Sequence, residues 1–258
     1  MTRADPITST SLVGGLPVDP HARSQRNLLV ALLACLLLWN LPYGWVALYP
    51  FKILSTWLHE SSHALVMLLA GAGVARFDIY RDTSGLATPA GGVTVLGQAL
   101  VSSAGYMGTA LFGATCLVVG QTARAARALL VTVGLLIGLT VLLWVRTRFA
   151  AGVLGGCAAC LLVAGLLTRP RATAFIVNFI AAQACVLAIL DIRVLFAATV
   201  YVDGKPYAQS DASIVAGILG GPRWLWAALW LVWSLGLFYL ALRSLRRRRS
   251  PARVTGSR

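Results

Sequence analysis

Two histidines four residues apart, with a glutamate directly after the first, are the residues here whose types and spacing suit chemistry: His59-Glu60-Ser61-Ser62-His63. On a helix, positions i and i+4 share a face one turn apart, so both imidazoles can reach a single metal ion. Neutral imidazole suits zinc, and a catalytic zinc takes three protein ligands and keeps one position for water. Glu60 need not coordinate. Its natural role is that of a general base, accepting a proton from a water that the ion has made acidic. Ser61 and Ser62 are small and leave room nearby. Glu60 is the only glutamate in the chain, and two of the three histidines flank it.

The third ligand must come from elsewhere in the chain. The aspartates are Asp5, Asp19, Asp78, Asp82, Asp191, Asp203 and Asp211. Asp191 alone sits in an apolar block, Leu187-Ala-Ile-Leu-Asp-Ile-Arg-Val-Leu195, where an unpaired carboxylate is costly. Zinc is one partner for it; Arg193 or a helix end is another. Asp211, in Ser210-Asp211-Ala212, is the alternative ligand. It opens a short helix, where its ordinary role is an N-cap. On the cost of burial Asp191 ranks ahead of Asp211.

These residues must be held by a membrane domain. Of the 258 residues 58% are hydrophobic and 12% charged, against roughly a quarter charged in soluble domains. The apolar residues come in blocks of bilayer-spanning length: about 27–48 (interrupted by Pro42), 53–71 with the motif, 92–120, 126–145, 149–167, 172–200 with Asp191, and 224–242. That predicts an all-α integral membrane bundle of six or seven transmembrane helices. Residues 1–26 read as a flexible polar tail, 27–243 as the membrane domain and 244–258 as a basic C-terminal tail. Between the second and third spans, Val74 to Thr88 is more polar. Its Asp82-Thr83-Ser84-Gly85 turn chemistry predicts a short hairpin-like insertion after the motif helix. Such a hairpin can offer an edge strand to an extended peptide; an ordinary surface loop is the other reading.

The net charge of +14 comes from 22 basic and 8 acidic residues. The arginines lie between the apolar blocks and in the cluster Arg246 to Arg249, where basic residues set topology and meet anionic headgroups. No basic stripe carries interleaved aromatics, so nucleic acid is excluded as a partner. The C-terminal arginines predict a cytoplasmic C-terminus. The five cysteines, including Cys157-Ala-Ala-Cys160, fall in apolar stretches and read as packing residues.

With Ala64, Leu65 and Gly71, the histidine–glutamate motif resembles the site-2-protease-like membrane zinc metallopeptidases, in a compact bacterial-type branch. Ala104-Gly105-Tyr106-Met107-Gly108 resembles that branch's glycine–tyrosine–glycine element. Leu190-Asp191-Ile192 resembles the family's later leucine–aspartate element, whose aspartate is the third zinc ligand, and Ser210-Asp211-Ala212 resembles another recurring element. The better-known members place a proline-containing asparagine motif just before that aspartate. Here Asn178 stands well upstream, no proline intervenes and Ile192 follows.

The resemblance implies an intramembrane zinc metallopeptidase of a bacterial cell membrane. Zn2+ would be held by His59, His63 and Asp191, with Glu60 as the catalytic base and membrane-spanning segments as substrates. A non-catalytic scaffold retaining a relic zinc site is the rival, and the intact Glu60 argues against it. A transporter is a further rival, disfavoured by the scarcity of other intramembrane charges and of any repeat.

Overall fold

The computed structural model describes residues 12–13, 16–17, 20–191, 200–207 and 209–247. A minimal hairpin, β1 (Leu12–Val13) and β2 (Leu16–Pro17), leads to helices α1 (Pro20–Asn40) and α2 (Gly44–Leu69). Then come β3 (Val74–Ile79), β4 (Gly85–Pro89), α3 (Val95–Val119), α4 (Ala123–Leu143), α5 (Arg148–Leu167) and α6 (Pro170–Leu190). A second hairpin, β5 (Val200–Val202) and β6 (Lys205–Tyr207), precedes α7 (Asp211–Leu219) and α8 (Arg223–Arg247). Helix α1 starts inside the stretch read as a polar tail.

Helices α3, α4, α5, α6 and α8 are each long and apolar enough to cross a bilayer. Helices α1 and α2 add a sixth such segment if taken together, bent by 118°. The protein is thus an all-α, multi-pass membrane bundle. Its outward side chains suit lipid: Leu142, Leu167 and Val232 are among many large apolar residues left exposed, a surface that would aggregate in water.

Local sequence sets the element boundaries. The first break follows Pro42: Tyr43 has a left-handed φ of 64°, and a Cβ on Gly44 would overlap the Leu38 carbonyl oxygen. The chain therefore turns sharply there and starts α2, which absorbs Pro50 within the helix. The expected break between the first two blocks, near residues 49–52, lies within continuous helix. Thr94 and Thr122 cap α3 and α4 by accepting hydrogen bonds from the N–H groups of Gly97 and Ala125, satisfying donors every helix start leaves open. Pro170 opens α6 at a position where its missing N–H costs nothing.

The insertion after the motif helix is an antiparallel hairpin, with Phe77 opposite Ala87 and Ile79 opposite Gly85. The sixth span ends earlier than its apolar run suggested, with Asp191 as its C-cap. Residues 192–199, with Ile192 and Arg193, lie outside the described residues, as do 248–258 of the basic tail. Val200, assigned to the span from sequence, begins β5 instead. The signal was legible: Asp203-Gly204 takes positive φ at both residues, 54° and 67°, the two-residue hairpin turn that Asp-Gly favours.

Candidate metal centre

Helix α2 puts His59 and His63 on one face, with imidazole centroids 4.6 Å apart and edge-on. Their Nε2 atoms are 2.9 Å apart. His63 is buried, and its Nδ1 lies 2.5 Å from the Val101 carbonyl oxygen of α3. A carbonyl only accepts, so the His63 proton sits on Nδ1 and the Nε2 lone pair faces its neighbour. This is the outer hydrogen bond that orients a metal-binding imidazole.

Helix α3 comes this close because it carries glycine at the contact. A Cβ on Gly105 would lie 2.5 Å from His59 Nε2 and 2.6 Å from His63 Nε2, and one on Gly108 would overlap the Ser62 hydroxyl. Between them Tyr106 packs edge-on against the His59 ring at 4.6 Å and stacks on Trp230 of α8 at 5.4 Å. The glycine–tyrosine–glycine element noted in the sequence is therefore a packing device: two clearances for the metal motif and one aromatic wall behind it.

The carboxylate brought to the imidazoles belongs to Asp211. Its Oδ2 lies 3.4 Å from His59 Nε2 and 3.6 Å from His63 Nε2. Asp211 is the first residue of α7, but the cap is Ser210, whose Oγ accepts from the Ser213 N–H. Ser210 thus frees the Asp211 side chain from the capping role expected of it. Asp191, ranked first from sequence, lines the same cavity but stands outside ion-pair distance of both imidazoles. Asn178 is buried in α6, where its amide donates to the Ala174 carbonyl of its own helix.

Glu60 faces the other side of the pair and is 7% exposed. Its carboxylate lies in one cluster with the histidine nitrogens, one ligand atom from each residue within 4.8 Å of the others. The Ala87 N–H of β4 donates to Glu60 Oε2 at 2.8 Å. All these groups open on a cavity of about 630 Å³ whose wall includes Ser55, Thr56, Ser102 and Thr109. The polar lining makes it a place for water inside an otherwise apolar bundle.

The donor set fits a divalent cation. Three ligand-type atoms, His59 Nε2, His63 Nε2 and Asp211 Oδ2, converge on one point, and two imidazoles with one carboxylate are a donor set that a shared divalent cation suits. Tetrahedral zinc with bonds of ~2.0–2.2 Å spaces its ligand atoms about 3.3–3.6 Å apart. The two histidine–aspartate separations match that edge, and the histidine–histidine one is a few tenths of an ångström shorter.

The sequence pattern matches the peptidase M50B-like family over residues 28–241, which takes in α2 to α7 whole, most of α1 and α8, and both His59 and His63. The chain belongs to that family. Comparison with curated proteins and with solved structures finds no match. A peptidase family, a multi-pass membrane bundle and a histidine–glutamate–histidine metal-binding group thus meet in one molecule.

Beyond the motif, sequence reasoning missed the Val101 carbonyl, the Ala87 amide, and Gly85, where a Cβ would lie 2.7 Å from Glu60 Cγ. The first two are backbone groups, which leave no trace in residue type.

Proposed function

We propose that this protein is an intramembrane zinc metallopeptidase that hydrolyses peptide bonds of membrane-associated substrates. His59, His63 and Asp211 would hold the ion, with Asp211 in the role the sequence had assigned to Asp191. The observation that carries the reading is the convergence of those three donor atoms, beside a buried glutamate, on a polar cavity within the bundle.

When bound, zinc supplies Lewis acidity, acidifying a water and polarising the scissile carbonyl. Glu60 accepts the water's proton on its carboxylate and returns it to the leaving amine as the peptide bond breaks. Val101 keeps the proton of His63 on Nδ1, so its Nε2 stays available. Asp211 would contribute the negative charge that helps a two-imidazole site hold a dication. The polar wall of the cavity brings in the water that hydrolysis consumes.

A membrane-spanning substrate must unwind locally to expose a peptide bond. The hairpin beside Glu60 supports capture in extended form, because β4, although its Ala87 N–H is taken by Glu60, lines the cavity with Gly85, Leu86 and Pro89, where an extended segment can lie alongside it. The basic C-terminal arginines favour a cytoplasmic C-terminus against anionic lipid. Six spans would then put the N-terminus on the same side, and five on the opposite one.

The test combines metal analysis with cleavage of a quenched fluorescent peptide carrying one apolar spanning segment, in detergent micelles. The expected result is about one zinc per chain and measurable cleavage. His59→Ala should lose both, and Glu60→Gln should keep the metal but lose cleavage. Full zinc in His59→Ala would overturn the site. Full activity in Glu60→Gln would remove the base. Zinc without cleavage in the wild type would favour the scaffold.

A further inference from the structure

We infer that strand β4 is the positioning element of the general base: the Ala87 backbone amide fixes the Glu60 carboxylate, and Gly85 clears the space for it. The inference rests on the peptidase reading of the same site.

A base works only within hydrogen-bond reach of the proton it takes, and a glutamate has three side-chain torsions to hold still. Here one carboxylate oxygen, Oε2, is tied to Ala87 at 2.8 Å. The other, Oε1, is left for the reacting water. The strand lies so close that no side chain fits at position 85: a Cβ would come to 2.7 Å from Glu60 Cγ, 3.0 Å from Glu60 Oε1 and 2.7 Å from Thr56 Cγ2.

The donor is itself held rigidly. On one side α2 grips the hairpin turn, with the Thr56 hydroxyl donating to the Thr83 carbonyl at 2.7 Å and the Tyr49 hydroxyl to the Arg81 carbonyl at 3.0 Å. On the other side, the Phe77 N–H donates to the Trp144 carbonyl at 3.1 Å. There the Thr147 hydroxyl also donates to Asp78 Oδ1 at 3.0 Å. A hairpin pinned at both faces aims one amide at one carboxylate. Phe77 and Ala87 are opposite each other, and both point their N–H groups away from the ladder. They form a non-hydrogen-bonded pair, so the Ala87 donor serves Glu60 without weakening the sheet.

That geometry makes the inference testable, because proline at an outward-facing edge position removes the N–H while leaving the ladder bonds in place. With the fluorescent spanning peptide, Ala87→Pro should lower kcat about 10- to 100-fold, the range for losing one hydrogen bond to a charged group. KM and zinc content should hold. Ala87→Ser, which keeps the amide, should retain kcat. Unchanged kcat in Ala87→Pro, or zinc lost in parallel with activity, would overturn positioning. If Ala87→Pro fails to accumulate, Gly85→Ala serves instead: kcat should fall with zinc retained, and full activity would overturn the inference. A readout independent of cleavage separates this from the peptidase reading. Amide exchange at Ala87 should be slow in the wild type and faster in Glu60→Ala, and equal rates would sink the contact even if the protein cleaves peptides. If the wild type cleaves nothing, the peptidase reading falls, and slow exchange relieved in Glu60→Ala would still establish the contact.

Discussion

Replacing Asp211 with alanine should do far more to zinc binding than replacing Asp191. Asp211 Oδ2 sits 3.4 and 3.6 Å from the two imidazole nitrogens, the spacing of ligands sharing one tetrahedral ion. Groups one shell further out cost 10- to 100-fold in metal affinity when removed, so loss of a direct anionic ligand should exceed about 100-fold, or ~2.8 kcal/mol. The substitution is otherwise mild. Ser210 caps α7, so Asp211→Ala forfeits only the favourable charge at a helix start, ~0.3–1 kcal/mol. Asp191 shares the cavity wall with Lys52 and touches neither imidazole, so Asp191→Ala should change affinity less than about tenfold, below the range for outer-shell groups. The assay is competition for zinc against a chromophoric chelator, with thermal unfolding of each metal-free variant to verify that the fold is intact. A larger loss in Asp191→Ala than in Asp211→Ala would refute the reasoning and return the ligand role to Asp191.

Other consequences can be checked on the same preparation. Gly105→Ala should lower zinc occupancy, because its Cβ would sit 2.5 Å from His59 Nε2, whereas Gly138→Ala meets nothing within 4 Å and should be neutral; equal behaviour would separate Gly105 from the site. Tyr106→Phe should keep zinc, since it preserves the ring between His59 and Trp230. Tyr106→Ala should lose stability by ~3–5 kcal/mol, read from denaturant midpoints. The tip of the β5–β6 hairpin should release from the β3–β4 turn in acid. Burial pushes the Asp82 carboxyl up, but donors from Ser84 and Gly204 outweigh it and hold the group below its ordinary value. A lowered folded-state pKa means the contribution is complete above the ordinary value, about 3.9, and is lost as pH falls through the folded one. The protection of the Gly204 amide relative to its intrinsic exchange rate at each pH should fall there, and that protection should not change with pH in Asp82→Asn.

The membrane class, the motif helix, the hairpin after it and the metal-binding pair were legible because each rests on local pattern: run length, an i, i+4 spacing, a cluster of turn residues. What was not legible depends on which helix meets which. The choice between Asp191 and Asp211 turned on the cost of a carboxylate in an apolar run, and that cost assumes hydrocarbon on all sides. Asp191 instead ends α6 at the wall of the cavity, which Lys52 also lines, so its surroundings are not hydrocarbon on all sides. Asp211 looked satisfied by a capping role that its neighbour Ser210 performs. A short helix with a serine cap and an aspartate at its first position can aim that aspartate outward from the helix start. Here the outward direction is the face of α2 that carries His59 and His63. Local rules thus identified the residues whose types suit a metal, and the packing of α7 and α3 on α2 decides which of them come together. Gly105 is the link between the two levels: its missing side chain is visible in the sequence, but the imidazoles that need the space lie more than forty residues away in the chain.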